Sequence, residues 1–142
     1  MRVLFLSMPV HHTINIPGMH SMPPTALYLL AAILQEKGYD VIVVDPITIR
    51  GYLDINGQDS LPEILDSYID ECDVVCISSN TLNWSMTKMA INTIKEMTDK
   101  PIVVGGIHPS YFFEYIINST PVKYVFRGEG EQALPKLLKD KR

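Results

Sequence analysis

Five short runs of apolar and β-branched residues recur along the chain, and the segments between them show a helical spacing of apolar positions. The runs are RVLFLS (2–7), DVIVVD (40–45), DVVCISS (73–79), PIVVGG (101–106) and KYVFRG (123–128). Most of them are apolar without alternation, which is typical of strands buried on both faces of a parallel sheet. The pattern therefore predicts five parallel strands.

The segments between these runs predict helices. Apolar positions three and four residues apart favour helices over residues 24–37, 60–71 and 84–98, a short helix after Pro109, and a last helix over about 131–139. Strands and helices thus alternate, which predicts an α/β domain with a Rossmann-like, flavodoxin-like, doubly wound sheet. Right-handed crossovers favour the strand order 2-1-3-4-5.

Composition narrows the class of protein. With 142 residues, 46% apolar and 20% charged, the chain suits one globular domain over residues 1–142. The net charge of -4 argues against nucleic acid, which usually requires a basic face. The stretch ALYLLAAIL is about half as long as a membrane span, and the apolar start lacks the small-residue cleavage site of a signal peptide. We therefore expect a cytoplasmic protein without a membrane partner.

Two cysteines, Cys72 and Cys76, are the only thiols of the chain. Their C-x-x-x-C spacing differs from the redox motif C-x-x-C, and two thiols give no disulfide framework. A radical-generating iron–sulfur cluster would require C-x-x-x-C-x-x-C, and the third position holds Ser79. Since Cys76 lies within an apolar run, we expect both cysteines to be buried structural thiols.

In a doubly wound sheet, ligands bind beyond the carboxyl ends of the strands. The loop after the first strand, SMPVHHTINIPGMHSMPP, is long, and long loops in compact domains are often functional. It carries His11, His12 and His20, whose spacing fits no common metal site and which no carboxylate or cysteine joins. These residues suit either an exposed polar loop or a lid that contacts a ligand.

Three further loops follow strands at the same edge. Residues 78–81 offer small polar side chains, which suit either hydrogen bonds to a ligand or a cap for the next helix. Gly105 and Gly106 are consecutive, which indicates that a bulky group lies close against the backbone. The loop RGEGE (127–131) is too short for the dinucleotide motif G-x-G-x-x-G, and Glu131 suits a favourable charge at a helix start. Together these loops predict a broad platform for a large planar ligand.

Several segments together resemble one known family, the amino-terminal cobalamin-binding domain of radical S-adenosylmethionine enzymes. The segments are PPTALYLLAAILQEKGYDVIVVD, DVVCISSNT, PIVVGGIHPS and YVFRGEGEQALPKLL. The resemblance runs nearly from end to end. It depends on GG-x-H-P-S and RGEGE occurring together at this spacing, since each motif alone is weak.

The resemblance implies a domain that binds cobalamin for a radical S-adenosylmethionine enzyme, a methyltransferase, and that holds no catalytic residue itself. The corrin ring would lie over the strand ends. The nucleotide tail would pass the loop after the third strand and enter the domain beside Gly105. The implied cofactor-binding residues are Pro9, Val10, Ser78, Ser79, Asn80, Thr81, Gly105, Gly106, Ile107, His108, Pro109, Arg127, Gly128, Glu129 and Gly130.

Two motifs of related enzymes are missing. D-x-H-x-x-G supplies a lower axial histidine in methionine-synthase-like relatives, and residues 8–12 here read MPVHH. We therefore expect no histidine ligand to cobalt, and we expect His108 to touch the edge of the cofactor or to cap a helix. Because C-x-x-x-C-x-x-C is also absent, the barrel that would hold the [4Fe-4S] cluster and S-adenosylmethionine is expected outside this chain, in cis or in trans.

Two other classes of doubly wound protein fit the residues poorly. A phospho-receiver domain needs carboxylates where this chain has Ser7-Met8 and Ser78-Ser79. A flavodoxin-type flavin binder needs a phosphate loop rich in Ser, Thr and Gly after the first strand, which SMPVHHTINIPG is not. The remaining alternative is a module of the same fold that binds no cobalamin and serves in docking or substrate specificity.

Overall fold

A computed structural model describes residues 1–9, 24–45 and 61–141 of the chain. Strands and helices alternate through these ranges, as the sequence predicts. The elements are β1 (Arg2–Ser7), α1 (Thr25–Glu36), β2 (Asp40–Val44), α2 (Leu61–Ile69), β3 (Val74–Ser78), α3 (Trp84–Met97), β4 (Ile102–Gly105), α4 (Ile107–Ser119), β5 (Tyr124–Val125) and α5 (Gly130–Lys139).

The five strands form one sheet in the order β2-β1-β3-β4-β5, and every neighbouring pair is parallel. The predicted flavodoxin-like order is therefore confirmed. The register places Ser7 opposite Ser78, and Ser78 opposite Gly105. These three residues form one row across the carboxyl edge of the sheet, where the hypothesis places the ligand.

Helices cover both faces of the sheet, and the alternation of side chains along each strand divides the core into two layers. On one face α2, α3 and part of α4 pack against the side chains of Leu4, Leu6, Val75, Ile77 and Val104. On the other face α1 and α5 pack against those of Val3, Phe5, Val74, Cys76 and Val103. We call this second side the α1/α5 face.

The two cysteines are buried, as predicted. Burial also raises the pKa of both thiols, which keeps them protonated and weak as nucleophiles. Among the described helices, none combines the length and the apolar character that crossing a bilayer requires.

Two predicted elements differ in extent. β5 has two residues rather than the six of KYVFRG, and its last pair in the sheet is Val125 opposite Val104 of β4. The chain then turns at Gly128, whose φ is 72°. α4 begins at Ile107, before Pro109, and spans 13 residues with a kink at Phe112, where the backbone is not helical. Proline is tolerated in a first turn, where its missing N–H has no helical acceptor.

Candidate functional site

The loops after β3 and β4 are joined by backbone hydrogen bonds at the carboxyl edge. The N–H of Ser79 donates to the carbonyl of Gly105 at 2.9 Å, and the N–H of His108 donates to the carbonyl of Ser79 at 3.3 Å. The loop after β3 and the start of α4 therefore form one rigid rim.

Gly106 is required by this contact between the loops. Its φ of 109° and ψ of -173° lie in a region that only glycine adopts readily. A Cβ at this position would collide with the backbone of Ser79, whose nitrogen would lie 3.0 Å away. The expectation that both glycines clear space for a ligand is thus revised, since the space beside Gly106 is occupied by the protein itself.

Gly105 has the opposite surroundings. A Cβ there would meet only the Cβ of Phe126, at an ordinary contact distance of 3.6 Å. Gly105 lines a cavity of about 360 Å³ between the sheet and the helices of the α1/α5 face. Its lining includes Phe5, Cys76 and Val103 from the strands, Leu27 and Leu30 from α1, Ser110 and Tyr111 from α4, and Phe126 and Leu134.

The cavity is mainly apolar, and the polar side chains among its described lining residues carry hydroxyl or carboxylate groups. Its polar side chains are the hydroxyls of Ser78 and Ser110 and the carboxylates of Glu129 and Glu131, and no lysine, arginine or histidine is among the described residues that line it. Tyr111, which is 80% exposed, also lines it and therefore stands at its mouth. The arrangement suits an uncharged, partly apolar group that inserts beside Gly105.

Asn83 connects the ends of β1 and β3. Its Nδ2 donates to the carbonyl of Met8 at 2.8 Å, while its Oδ1 accepts from the hydroxyl of Ser79 and from the N–H of Asn80, both at 2.9 Å. Asn83 is 5% exposed, and its side chain does not cap α3 although it stands at the cap position. The loop of residues 78–81 is therefore held mainly by internal bonds.

His108 points into the protein. Its ring stacks on Trp84 at 4.7 Å and lies against Phe112 at 4.6 Å, both measured between ring centroids. Its Nδ1 is 3.2 Å from the hydroxyl oxygen of Thr81. Burial lowers the pKa of the imidazole, because the charged form loses its hydration. His108 therefore fixes the loop after β3 against α4 and does not cap the helix.

Ser110 joins the loops after β4 and β5. Its hydroxyl donates to the carbonyl of Gly106 at 2.7 Å and accepts from the N–H of Gly128 at 2.9 Å. The neighbouring Arg127 places its guanidinium 4.1 Å from the centre of the Phe113 ring on α4. This cation–π contact turns the arginine away from the cavity.

The residues predicted for the site fall into three groups in the structure. The first group lines the cavity and comprises Ser78, Gly105, Gly106, Ile107, Gly128, Glu129 and Gly130. The second group builds or adjoins the rim and comprises Pro9, Ser79, Asn80, Thr81, His108, Pro109 and Arg127. The third group lies outside the described residues and comprises Val10 together with the loop histidines His11, His12 and His20.

Sequence reasoning missed several residues of this region. Ser110 is the last residue of GG-x-H-P-S, and Asn83 follows the polar loop of residues 78–81. A short polar side chain within reach of two loops is the signal that could have identified both. Leu27 and Leu30 belong to α1, far away along the chain, and no local pattern connects them with the cavity. Within the described ranges no group of three or more His, Cys, Asp or Glu side chains is arranged to hold a metal ion.

Comparisons with known proteins find a matching family and a longer relative. The sequence matches the family described as the B12 binding domain over residues 13–138. It is 28% identical over 149 aligned positions to the anaerobic magnesium-protoporphyrin IX monomethyl ester cyclase of Synechocystis sp., covering 97% of this chain and 27% of the cyclase. The chain thus spans about a quarter of that relative's length.

Solved structures share the fold. The radical S-adenosylmethionine methyltransferase TsrM from Kitasatospora setae, solved with tryptophan substrate and a SAM analog, matches with a TM-score of 0.77 and 22% identity, over 99% of this chain and 26% of that one. The N-terminal domain of a response regulator/sensory box/GGDEF protein from Carboxydothermus hydrogenoformans matches with a TM-score of 0.55 and 13% identity, over 99% and 92% of the two chains. At these identities the likeness concerns the fold alone.

Proposed function

The chain belongs to the B12-binding domain family, and from this membership we propose that it binds cobalamin at the carboxyl edge of its sheet, with the nucleotide tail in the cavity beside Gly105. The observation that carries the proposal is that cavity of about 360 Å³, which opens at the end of β4 where a side chain is missing.

The residues present fit the tail of this cofactor. An aromatic base matches the apolar side chains of Phe5, Val103 and Leu134, which are buried in the α1/α5 layer. Hydroxyl groups of a ribose match the polar groups that interrupt these walls, Ser78 and Ser110 among them. A side chain on Gly105 would project from the sheet on the same side as Val103, and so into this space.

The corrin ring would then lie across the rim. Ile107 is 68% exposed and lines the cavity, so it offers an apolar surface to the face of a ring. The exposed polar side chains of Asn80 and Thr81 suit the amide groups at the ring's edge. His108 would support this rim from behind, since its ring is enclosed by Trp84 and Phe112.

Cobalamin would supply the group-transfer or radical chemistry at its cobalt, and the protein would supply position and surroundings. We propose that the complete protein is a radical S-adenosylmethionine enzyme whose cluster and S-adenosylmethionine lie outside this domain. The similarity to the TsrM fold and the resemblance of the motifs support that proposal. Methyl transfer stays a prediction, because the two relatives bear the names of different reactions, a cyclase and a methyltransferase.

Titration with hydroxocobalamin tests the proposal. The 142-residue chain is expected to change the visible absorbance of the corrinoid and to retain it through gel filtration. Circular dichroism on the same sample shows whether the chain is folded. A folded chain that neither shifts the spectrum nor retains the corrinoid would support the alternative, a docking or specificity module without cobalamin.

A further inference from the structure

Glu131 is the unexplained polar group of the cavity. It lies in the first turn of α5 and lines the cavity. Its Oε2 is shielded from solvent and has no hydrogen-bond partner among the described residues. The partial positive charge at a helix start favours a carboxylate in this turn. A carboxylate that points into water would have the same favourable interaction. The helix charge therefore does not explain why one oxygen is turned inward.

The surroundings of that oxygen are unsuited to an unpaired carboxylate. The cavity wall next to Glu131 along α5 includes Leu134, and the facing helix α1 contributes Leu27 and Leu30. A buried acceptor without a partner destabilises the folded chain, and more so when it is charged. No basic side chain is found among the described residues that line the cavity, and the guanidinium of Arg127 lies on the ring of Phe113.

We propose that Glu131 is a specificity-determining residue that accepts a hydrogen bond from a ribose hydroxyl of the nucleotide tail. This inference rests on the proposed function and deepens it. A carboxylate is an acceptor only, so it selects a group that carries O–H or N–H. The tail also carries a phosphate, which two carboxylates and no cation would repel. The ribose therefore lies inside the cavity near Glu131, and the phosphate lies at the mouth.

Two corrinoids distinguish a contact with the nucleotide tail from a contact with the corrin ring. Cobalamin carries the nucleotide tail, whereas cobinamide has the same corrin ring and lacks the nucleotide. The affinities of both are measured by absorbance titration for the wild-type chain, Glu131→Ala and Glu131→Gln. Glu63→Ala serves as the matched control, because Glu63 is an exposed glutamate in the first turn of α2 and is not among the described residues that line the cavity.

We expect Glu131→Ala to bind cobalamin roughly 10-fold or more weakly, which corresponds to a lost hydrogen bond to a charged group. Glu131→Gln keeps an acceptor of similar shape, so its affinity for cobalamin is expected to lie between those of the wild type and Glu131→Ala. Cobinamide affinity is expected to stay unchanged in both variants, and Glu63→Ala is expected to leave both affinities unchanged.

Equal cobalamin affinities for the wild type and Glu131→Ala would overturn the inference, and so would equal losses for the two corrinoids. If Glu131→Ala fails to fold, the conservative Glu131→Gln decides alone by the same comparison. A wild-type chain that is folded and binds neither corrinoid contradicts the proposed function itself, which is a different result from an unchanged variant.

Discussion

The backbone of Ser79 occupies the space that a side chain on Gly106 would need. The two residues belong to the loops after neighbouring strands, and the next residue along the chain, Ile107, begins α4. Close approach of the two loops therefore depends on an absent side chain. The glycine pair of this sequence has two separate roles, in which Gly106 permits the backbone contact and Gly105 opens the cavity.

Replacing Gly106 by alanine is expected to destabilise the chain by about 2–4 kcal/mol, since both the backbone conformation and the contact with Ser79 become unfavourable. Urea unfolding measures the change. Gly38→Ala is the matched control, because Gly38 also has a positive φ, 81°, but a Cβ there meets nothing within 4 Å. Equal losses in the two variants would contradict the role assigned to the Ser79 contact.

Replacing Gly105 by valine is expected to leave the chain folded and to abolish retention of cobalamin. The new side chain would meet only Phe126 at first contact, at an ordinary distance, and would fill the cavity where the tail is proposed to enter. Gel filtration with hydroxocobalamin, together with circular dichroism, measures both effects. Gly105→Ala should bind with intermediate affinity. Full retention by a folded Gly105→Val chain would argue against this cavity as the tail site.

Asn83→Ala is expected to lower the free energy of unfolding by about 1–3 kcal/mol, because the buried carbonyl of Met8 and the partly buried N–H of Asn80 lose their partner. Chemical denaturation measures the loss. Ser85→Ala is the control, since Ser85 is exposed in the first turn of the same helix. A loss in Asn83→Ala no larger than in Ser85→Ala would show that the loop is held by other contacts.

The His108 environment predicts a pH dependence of stability. The imidazole has a lowered pKa in the folded chain, so the unfolded chain binds more protons once the pH falls below about 6.5. Stability contributed by neutral His108 is therefore present above that pH and lost as the pH falls towards the lower, folded pKa. Melting temperatures between about pH 7.5 and 5.5 should decline more steeply for the wild type than for His108→Gln.

The difference between the two slopes of melting temperature against pH isolates the contribution of His108. Both chains keep His11, His12, His20 and every carboxylate, so only the titration of His108 differs between them. The lower stability expected of His108→Gln at every pH, from lost ring contacts with Trp84 and Phe112, does not enter the slope. Parallel curves would contradict the assignment of a buried neutral histidine.

The fold could be predicted from the sequence because its signals are local. The apolar run at residues 73–79 has the composition of a strand that is buried on both faces. The alternation of such strands with helices leaves few possible topologies. The end of β5 could not be predicted in the same way, because it depends on pairing with β4, and the last pair of that ladder is Val125 opposite Val104. Strand length here is a property of the pair of strands.

The sequence predicts which loops meet at one edge of the sheet, and the strand order confirms it, but it does not assign roles to single residues. The motif GG-x-H-P-S falls on the rim, but the sequence does not show that one glycine faces the backbone of Ser79 and the other a cavity. His108 was expected to touch the edge of the cofactor or to cap a helix; its side chain makes no cap hydrogen bond and its ring packs on Trp84 and Phe112, while contact with the cofactor stays a prediction. Such facts depend on residues that are distant along the chain.

The place of β1 between β2 and β3 constrains how the chain can be assembled. Val3 pairs with Val41 of β2 on one side and with Val74 of β3 on the other. β1 therefore has both of its neighbours only after β3 has been synthesised. Until then one edge of an apolar strand is open to other chains, which is a route to aggregation. A fragment that ends before Val74 would keep that edge open permanently. A division of this domain for expression that falls before β3 therefore leaves β1 without one of its two neighbours.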